Sequence, residues 1–407
     1  MQVVLLGAGA SKSYTESPTG VLMPLALDFF QTFDKLKIKG APWVLLDGLF
    51  EFLIETKGVD PNVFLRAGID IELLHSEIES HRDEALKTND PGNWMLPYKA
   101  FNELIFLFTA VLNEIQNGPI SEAHKLIARH INPDDSIITF NWDTLMDRAL
   151  SSETAWSVDG GYDVRPRKIF SDGWRDPNEV EGPRNWPNLI KLHGSTNWLT
   201  GYTTTDGQGK IVAGHDLPGD TLHIFEKATV PYPCYAGRYI PGYQPYSYGY
   251  YPPNFLDVGG RPASPGRVII RTRLRAPHRM DGVSSAEGLA TMPLIIPPVR
   301  NKSYEFFGSL FSKLWSTAER AIAETDRLLV IGYSFPKTDL QSINLFERAF
   351  ANRTSIPEIT IVDPAPQHVV QIFREKFHVD EAKLTVIADR FSSKSDFPLL
   401  FKGEDAS

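Results

Sequence analysis

The stretch Val3-Val4-Leu5-Leu6-Gly7-Ala8-Gly9-Ala10-Ser11 decides the fold. Four aliphatic residues in a row suit a strand buried on both faces, and they stop at a glycine-rich turn. Glycines at the carboxyl end of such a strand let the backbone approach a pyrophosphate, and a helix starting there attracts its charge. A plain tight turn fits the same residues. The neighbouring positions narrow the choice. A dehydrogenase fingerprint would place a third glycine or alanine at Lys12, and its acid, about 20 residues on, would be Asp28, inside an apolar helical run. A Walker loop would need glycine where Ser11 stands. Hydride transfer and P-loop ATPase chemistry are therefore disfavoured.

Working outward, four further β-branched or aliphatic runs lie at 136–140, 189–192, 328–331 and 359–362, each ending at Asn, His, Gly or Asp. Helical patterns separate them. Phe307, Leu310, Phe311, Leu314, Ala318, Ala321 and Ile322 share one helix face, and 103–115 and 69–78 read as two more helices. About 130 residues divide the first two strands, far more than one crossover helix needs. A helical insertion is expected there, over 20–132. The expected fold is α/β, a Rossmann-like parallel sheet covered by helices, within a single catalytic domain spanning 1–407. From about 200 to 290 the composition changes: Tyr232 to Tyr251 holds eight tyrosines and Pro231 to Pro253 six prolines. Such density disfavours long elements, so an irregular surface excursion is expected. A tyrosine-rich contact surface is the sharper alternative.

Composition bounds the function. A formal charge of −9 disfavours non-specific nucleic-acid binding, so nucleic acid is not directly indicated. No apolar run reaches the roughly 18 residues of a membrane span. The start of the chain lacks a signal-peptide pattern, and Cys234 is the single cysteine, so a cytoplasmic protein is expected. No metal is expected either, because a four-cysteine zinc site is impossible and the ten histidines show no H-E-x-x-H spacing.

Polar residues at the strand ends carry the chemistry. Thr139-Phe140-Asn141-Trp142-Asp143 closes the second run, where Asn141 and Asp143 could face a ligand crevice or simply cap the next helix. Lys191-Leu192-His193-Gly194-Ser195 puts a histidine directly after a buried strand, a good place for acid–base work. Gly332-Tyr333-Ser334-Phe335-Pro336 misses the nucleophile elbow at Pro336, which makes Ser334 a ligand of phosphate or ribose rather than a nucleophile. Asp363-Pro364 could bind ribose hydroxyls or form a turn.

Taken together, Gly7 to Ser11, Thr139 to Asp143, His193-Gly194, Gly332 to Ser334 and Asp363 follow the motif order of the sirtuin family, and the chain resembles it from residue 3 to about 390. It departs from deacylating sirtuins in three places. The two Cys-x-x-Cys pairs of their zinc module are missing, with the 200–290 excursion in their stead. Ser11-Lys12-Ser13-Tyr14 replaces the Gly-Ile-Pro-Asp-Phe-Arg stretch. No equivalent of the acyl-peptide strand is evident at Leu294-Ile295-Ile296-Pro297-Pro298. In these features the chain looks like the bacterial sirtuin-like NAD hydrolases of anti-phage defence. The resemblance implies NAD+ as substrate, with release of nicotinamide and ADP-ribose and NAD depletion by abortive infection. It also implies a homo-oligomer and control by a partner protein, such as an ATPase, a helicase or another defence subunit. By the same resemblance Gly7, Ala8, Gly9 and Ser11 hold the pyrophosphate, Thr139 and Gly332 belong to the cofactor site, and Ser334 and Asp363 hold the adenosine side. Asn141, Asp143 and His193 are the implied catalytic residues. An NAD-dependent protein deacylase and a non-catalytic NAD- or ADP-ribose-binding subunit are the alternatives.

Overall fold

The computed structural model describes residues 1–36, 43–45, 47–88, 91–116, 118–171, 174–179, 182–201, 204–205, 211–213, 222–227, 269–271, 291–296, 308–336, 339–351 and 353–394. Its centre is β1 (Gln2–Leu6), whose Val3, Val4, Leu5 and Leu6 are all buried. Five more strands join it: β2 (Ser136–Thr139), β3 (Asn188–Lys191), β4 (Arg327–Ile331), β5 (Glu358–Val362) and β6 (Leu384–Ile387). They form one six-stranded sheet in the order β6-β5-β4-β1-β2-β3. Every pairing in it is parallel, and Leu6 lies opposite both Ile331 and Thr139. The chain fills the sheet from β1 to one side and then, from β4, to the other. That reversal between β1 and β4 is the switch point at which a Rossmann-like α/β sheet opens its ligand crevice.

Helices cover the sheet. Glu122–His130 packs against Leu145–Glu153, and Gly308–Glu324 against Leu340–Ala351. The apolar stripe expected from the spacing in Gly308–Glu324 is the one that enters the core, through Phe311, Leu314, Ala318 and Ile322. The stretch 20–132 divides into two parts. Helices Phe29–Lys35, Asp47–Lys57, Pro61–Arg66, Ile71–Thr88 and Pro91–Gln116 enclose a second apolar cluster around Phe29, Phe30, Phe52 and Phe108. Glu122–His130 instead gives Ala123, Ile127 and Ala128 to the sheet core.

A second sheet of five strands stands beside β3, and the sequence reading did not foresee it. Its order is Thr291–Ile295, Gly194–Gly201, His223–Lys227, Lys168–Ser171, Trp174–Arg175. His223–Lys227 lies within the region expected to be irregular, while the tyrosine-rich run 232–253 falls outside the described residues.

Candidate functional site

A cleft of about 730 Å³ opens at the carboxyl ends of β1, β2, β4 and β5. That volume lies within the roughly 300–1,000 Å³ of small-molecule sites. Of the residues implicated by the sequence, Ala8, Gly9, Ser11, Asn141, Asp143, His193, Gly332, Ser334 and Asp363 line it. Gly7 and Thr139 do not line it. Both accept hydrogen bonds from Asn141, which does.

The floor is built by close backbone packing. Gly332 adopts φ +59°, and a Cβ there would come within 2.4 Å of the Ala10 nitrogen. A Cβ on Gly7 would meet the Gly332 carbonyl oxygen at 2.4 Å. The Gly7 and Gly9 amides donate to the carbonyls of Ile331 and Gly332 at 3.0 and 2.9 Å, so these glycines join the β1 and β4 turns. Phe335, farther along the loop after β4, holds φ +51°. Its ring is anchored against Phe346, Phe373 and Phe377. Left-handed backbone at a residue other than glycine is uncommon and gathers at functional sites.

Three implicated side chains form one hydrogen-bonded unit. Asn141 Nδ2 donates to the Gly7 carbonyl and to Ser11 Oγ, both at 2.8 Å. Ser11 Oγ donates in turn to Asp143 Oδ2 at 2.5 Å. With both amide hydrogens engaged, Asn141 presents its Oδ1 as an acceptor. Asp143 also accepts from the Leu145 amide at 3.1 Å, just ahead of a helix whose N-cap is Thr144 rather than Asn141 or Asp143. Thr139 Oγ1 accepts from the Asn141 amide at 3.0 Å and donates to the Leu6 carbonyl at 3.3 Å, which shapes the turn. Beneath it, the buried Lys191 ammonium donates to the Asp143 carbonyl at 2.5 Å and pairs with Asp147 at 3.1 Å. Tyr162 donates its hydroxyl to Asp147 and accepts from Asn197.

His193 enters from the end of β3. The next residue, Gly194, has φ +76°, and a Cβ on it would strike the Leu294 carbonyl oxygen at 2.0 Å. The Ile296 amide donates to the His193 carbonyl at 2.9 Å, which ties the histidine loop to the strand Thr291–Ile295. Leu294 and Ile295, in the stretch with no evident acyl-peptide strand, lie in a strand at one end of the second sheet. Trp142 joins the same region, donating Nε1 to the Ile296 carbonyl at 3.3 Å and packing on Phe108 of the helical subdomain.

Farther along the cleft, Ser334 is exposed, and Asp363 accepts from the Ala365 amide at 2.8 Å, as an Asp-Pro turn would. The helical subdomain supplies Met23, Phe29, Phe108 and Leu112 to the opposite wall. Asp339 and Tyr333 were not singled out by sequence. Asp339 precedes the helix Leu340–Ala351 and reads as an ordinary cap, which hides its position in the cleft. Among the described residues no cluster of three or more His, Cys, Asp or Glu is placed to hold a metal ion, and no helix is long and apolar enough to cross a membrane.

No family model and no curated protein matches the chain. Similar solved structures include one described as the structural basis for the mechanism and regulation of Sir2 enzymes. It is 14% identical with a TM-score of 0.36, covering 96% of this chain and 86% of that one. A mutant Sir2 homologue in complex with 2'-O-acetyl ADP ribose is 12% identical with a TM-score of 0.36, covering 96% and 87%. A third, a mutant Sir2 homologue in complex with ADP ribose, is 15% identical with a TM-score of 0.28, covering 89% and 80%. The strand order and site geometry stand independently of these likenesses.

Proposed function

We propose that this chain hydrolyses NAD+ at the nicotinamide–ribose bond. The observation that carries the reading is the Ser11–Asn141–Asp143 unit, which shares one cleft with His193 at the β1/β4 switch point. A crevice at that point of a parallel α/β sheet suits a dinucleotide. Ala8, Gly9 and Ser11 surround the pyrophosphate, with Gly7 and Gly332 permitting the close turns. Ser334 and Asp363 take the adenosine side. Asn141 Oδ1 accepts a hydrogen bond from a ribose hydroxyl or the attacking water, and Asp143 receives the nicotinamide amide.

The C1'–N bond breaks with its electron pair moving to the pyridinium nitrogen, so nicotinamide leaves neutral. The ribosyl cation left behind is oxocarbenium-like, as in other glycoside cleavage. Water adds at C1', and His193 takes the proton that this addition releases before passing it to solvent. The products are nicotinamide, ADP-ribose and one proton. Through the sequence resemblance alone, the reading extends to NAD depletion during phage infection by a cytoplasmic homo-oligomer under the control of a partner protein.

One observation favours a second reading, an NAD-dependent deacylase. The edge strand Thr291–Ile295 lies beside His193, and an edge strand can receive an extended peptide. Incubation with NAD+, with and without an acetyl-lysine peptide, separates the two by chromatography of products. Hydrolysis predicts nicotinamide and ADP-ribose without peptide, and both lost in His193→Ala. Nicotinamide released only with peptide would establish the deacylase instead. Saturable NAD+ binding without turnover, alone and with a coexpressed partner, would leave a non-catalytic subunit.

A further inference from the structure

Asp339 makes the contact that the proposed chemistry leaves unused. Its carboxylate lies 3.4 Å from His193 Nε2, with the two side chains only 2% and 6% exposed. The Tyr333 hydroxyl donates to the same carboxylate oxygen at 3.0 Å. The Tyr333 ring stacks on Phe140 at 4.3 Å with 9° between planes, and Phe140 meets the His193 ring edge-on at 5.0 Å. The imidazole is thus set between an aromatic edge and a carboxylate. The backbone fixes that carboxylate, because the Asp339 amide donates to Pro336 and its carbonyl accepts from the Ser342 hydroxyl.

We infer that Asp339 is a positioning residue: it orients the His193 ring and stabilises the imidazolium that forms when His193 takes a proton from water or a ribose hydroxyl. A carboxylate so close to an imidazole favours its charged form, and the Tyr333 hydrogen bond favours an ionised Asp339. Asp70, Glu72, Asp363 and Arg390 also line the cleft, and the charge of Glu72 reaches Tyr333. Asp143 accepts from Ser11, and Lys12 pairs with Asp28 at the rim. From the strand Thr291–Ile295 side, the contact is the Ile296 backbone amide. The role in turnover rests on the NAD-hydrolase reading, whereas the existence of the pair does not.

Two measurements on the full chain separate these points. In protein labelled with ¹⁵N-histidine, with the signal assigned by its loss in His193→Gln, Asp339→Asn and Asp339→Ala should both lower the His193 titration midpoint. About one pH unit is expected, a tenfold loss of proton affinity. Tyr333→Phe, which removes one hydroxyl and keeps the ring, should move it less and in the same direction. An unmoved His193 titration in the folded variants would overturn the pairing, whether or not the protein cleaves NAD+. In nicotinamide release, Asp339→Asn should lower kcat roughly 10²-fold with KM little changed, in the range for a compromised acid–base group. Added to His193→Ala, it should cost nothing further. An equal loss in that background would show that Asp339 acts on something other than His193.

Discussion

At the scale of single residues, the site is set by which atoms are already engaged. Asn141 gives both amide hydrogens to Gly7 and Ser11, so its function toward a ligand falls on one oxygen. Asn141→Asp keeps the shape and removes both donors, placing a carboxylate against the Gly7 carbonyl. We expect it to lower nicotinamide release as far as His193→Ala does, roughly 10²–10⁴-fold, with the far-ultraviolet spectrum unchanged. Near-normal rates in a folded Asn141→Asp protein would remove the residue from the mechanism. Gly332 acts through space alone. Alanine there must hold φ +59° and press its Cβ against Ala10 and Gly9. Left-handed backbone at an ordinary residue costs about 1–3 kcal/mol. The collision adds to it, so Gly332→Ala should lower the urea midpoint beyond what that backbone cost explains and reduce NAD+ affinity through the same turn.

Among the elements, β2 and β3 carry the turns that hold the proposed catalytic residues, and a buried ion pair links the end of β3 to the helix after β2. Lys191 at the end of β3 reaches Asp147 in the helix Leu145–Glu153 and the carbonyl of Asp143. Removing one partner of a buried pair typically costs about 3–5 kcal/mol, because the other charge is left without compensation. Lys191→Met should show that loss in urea denaturation, and adding Asp147→Leu should recover much of it. A single variant as stable as wild type would mean that the pair contributes nothing net. These elements also show what sequence can reveal. Val3 to Leu6 and the runs at 328–331 and 359–362 announce themselves because burial on both faces selects aliphatic residues, interrupted only by the half-buried Thr360. Leu384–Ile387 does not, since at the sheet edge its middle residues are exposed and no such demand applies. The helix Pro91–Gln116 begins well before the periodic stretch 103–115, with Pro91, Gly92 and Pro97 imitating a break. In the site, Asn141, Asp143 and His193 were legible because each comes soon after a strand. Asp339 was not, because its contact with His193 spans 146 residues of sequence and no local pattern encodes it.

For the whole molecule, the two apolar cores meet at the site, and both contain a histidine held in its neutral form. Trp142 packs on Phe108 from the β2 turn, and the Gln116 side chain at the end of the long helix accepts from the Thr144 amide at 2.8 Å. Loosening either core therefore reaches the turn after β2. His75, in the helical subdomain, is held down to about 3 by burial, with the charge of Arg82 adding to the effect. His124, packed into the sheet core, is held down to about 4 by burial, against the opposing charge of Asp143. Well above pH 6.5 both are neutral in the folded and unfolded chains. As pH falls below 6.5, the unfolded chain takes up protons that the native protein refuses, so stability is lost down to the folded values. Glu79 acts in the opposite sense. Burial raises it to about 7, so its contribution is full below its ordinary value of 4.5 and fades as pH rises through 7. From pH 7 to pH 5 each histidine should remove roughly 2 kcal/mol, partly offset by Glu79. Urea unfolding at the two pH values tests this. His75→Leu should shrink the acid loss by about that amount, and Glu79→Gln should enlarge it by removing the offset. If His75→Leu left the acid loss unchanged, the helical subdomain would not be the part of the molecule that gives way.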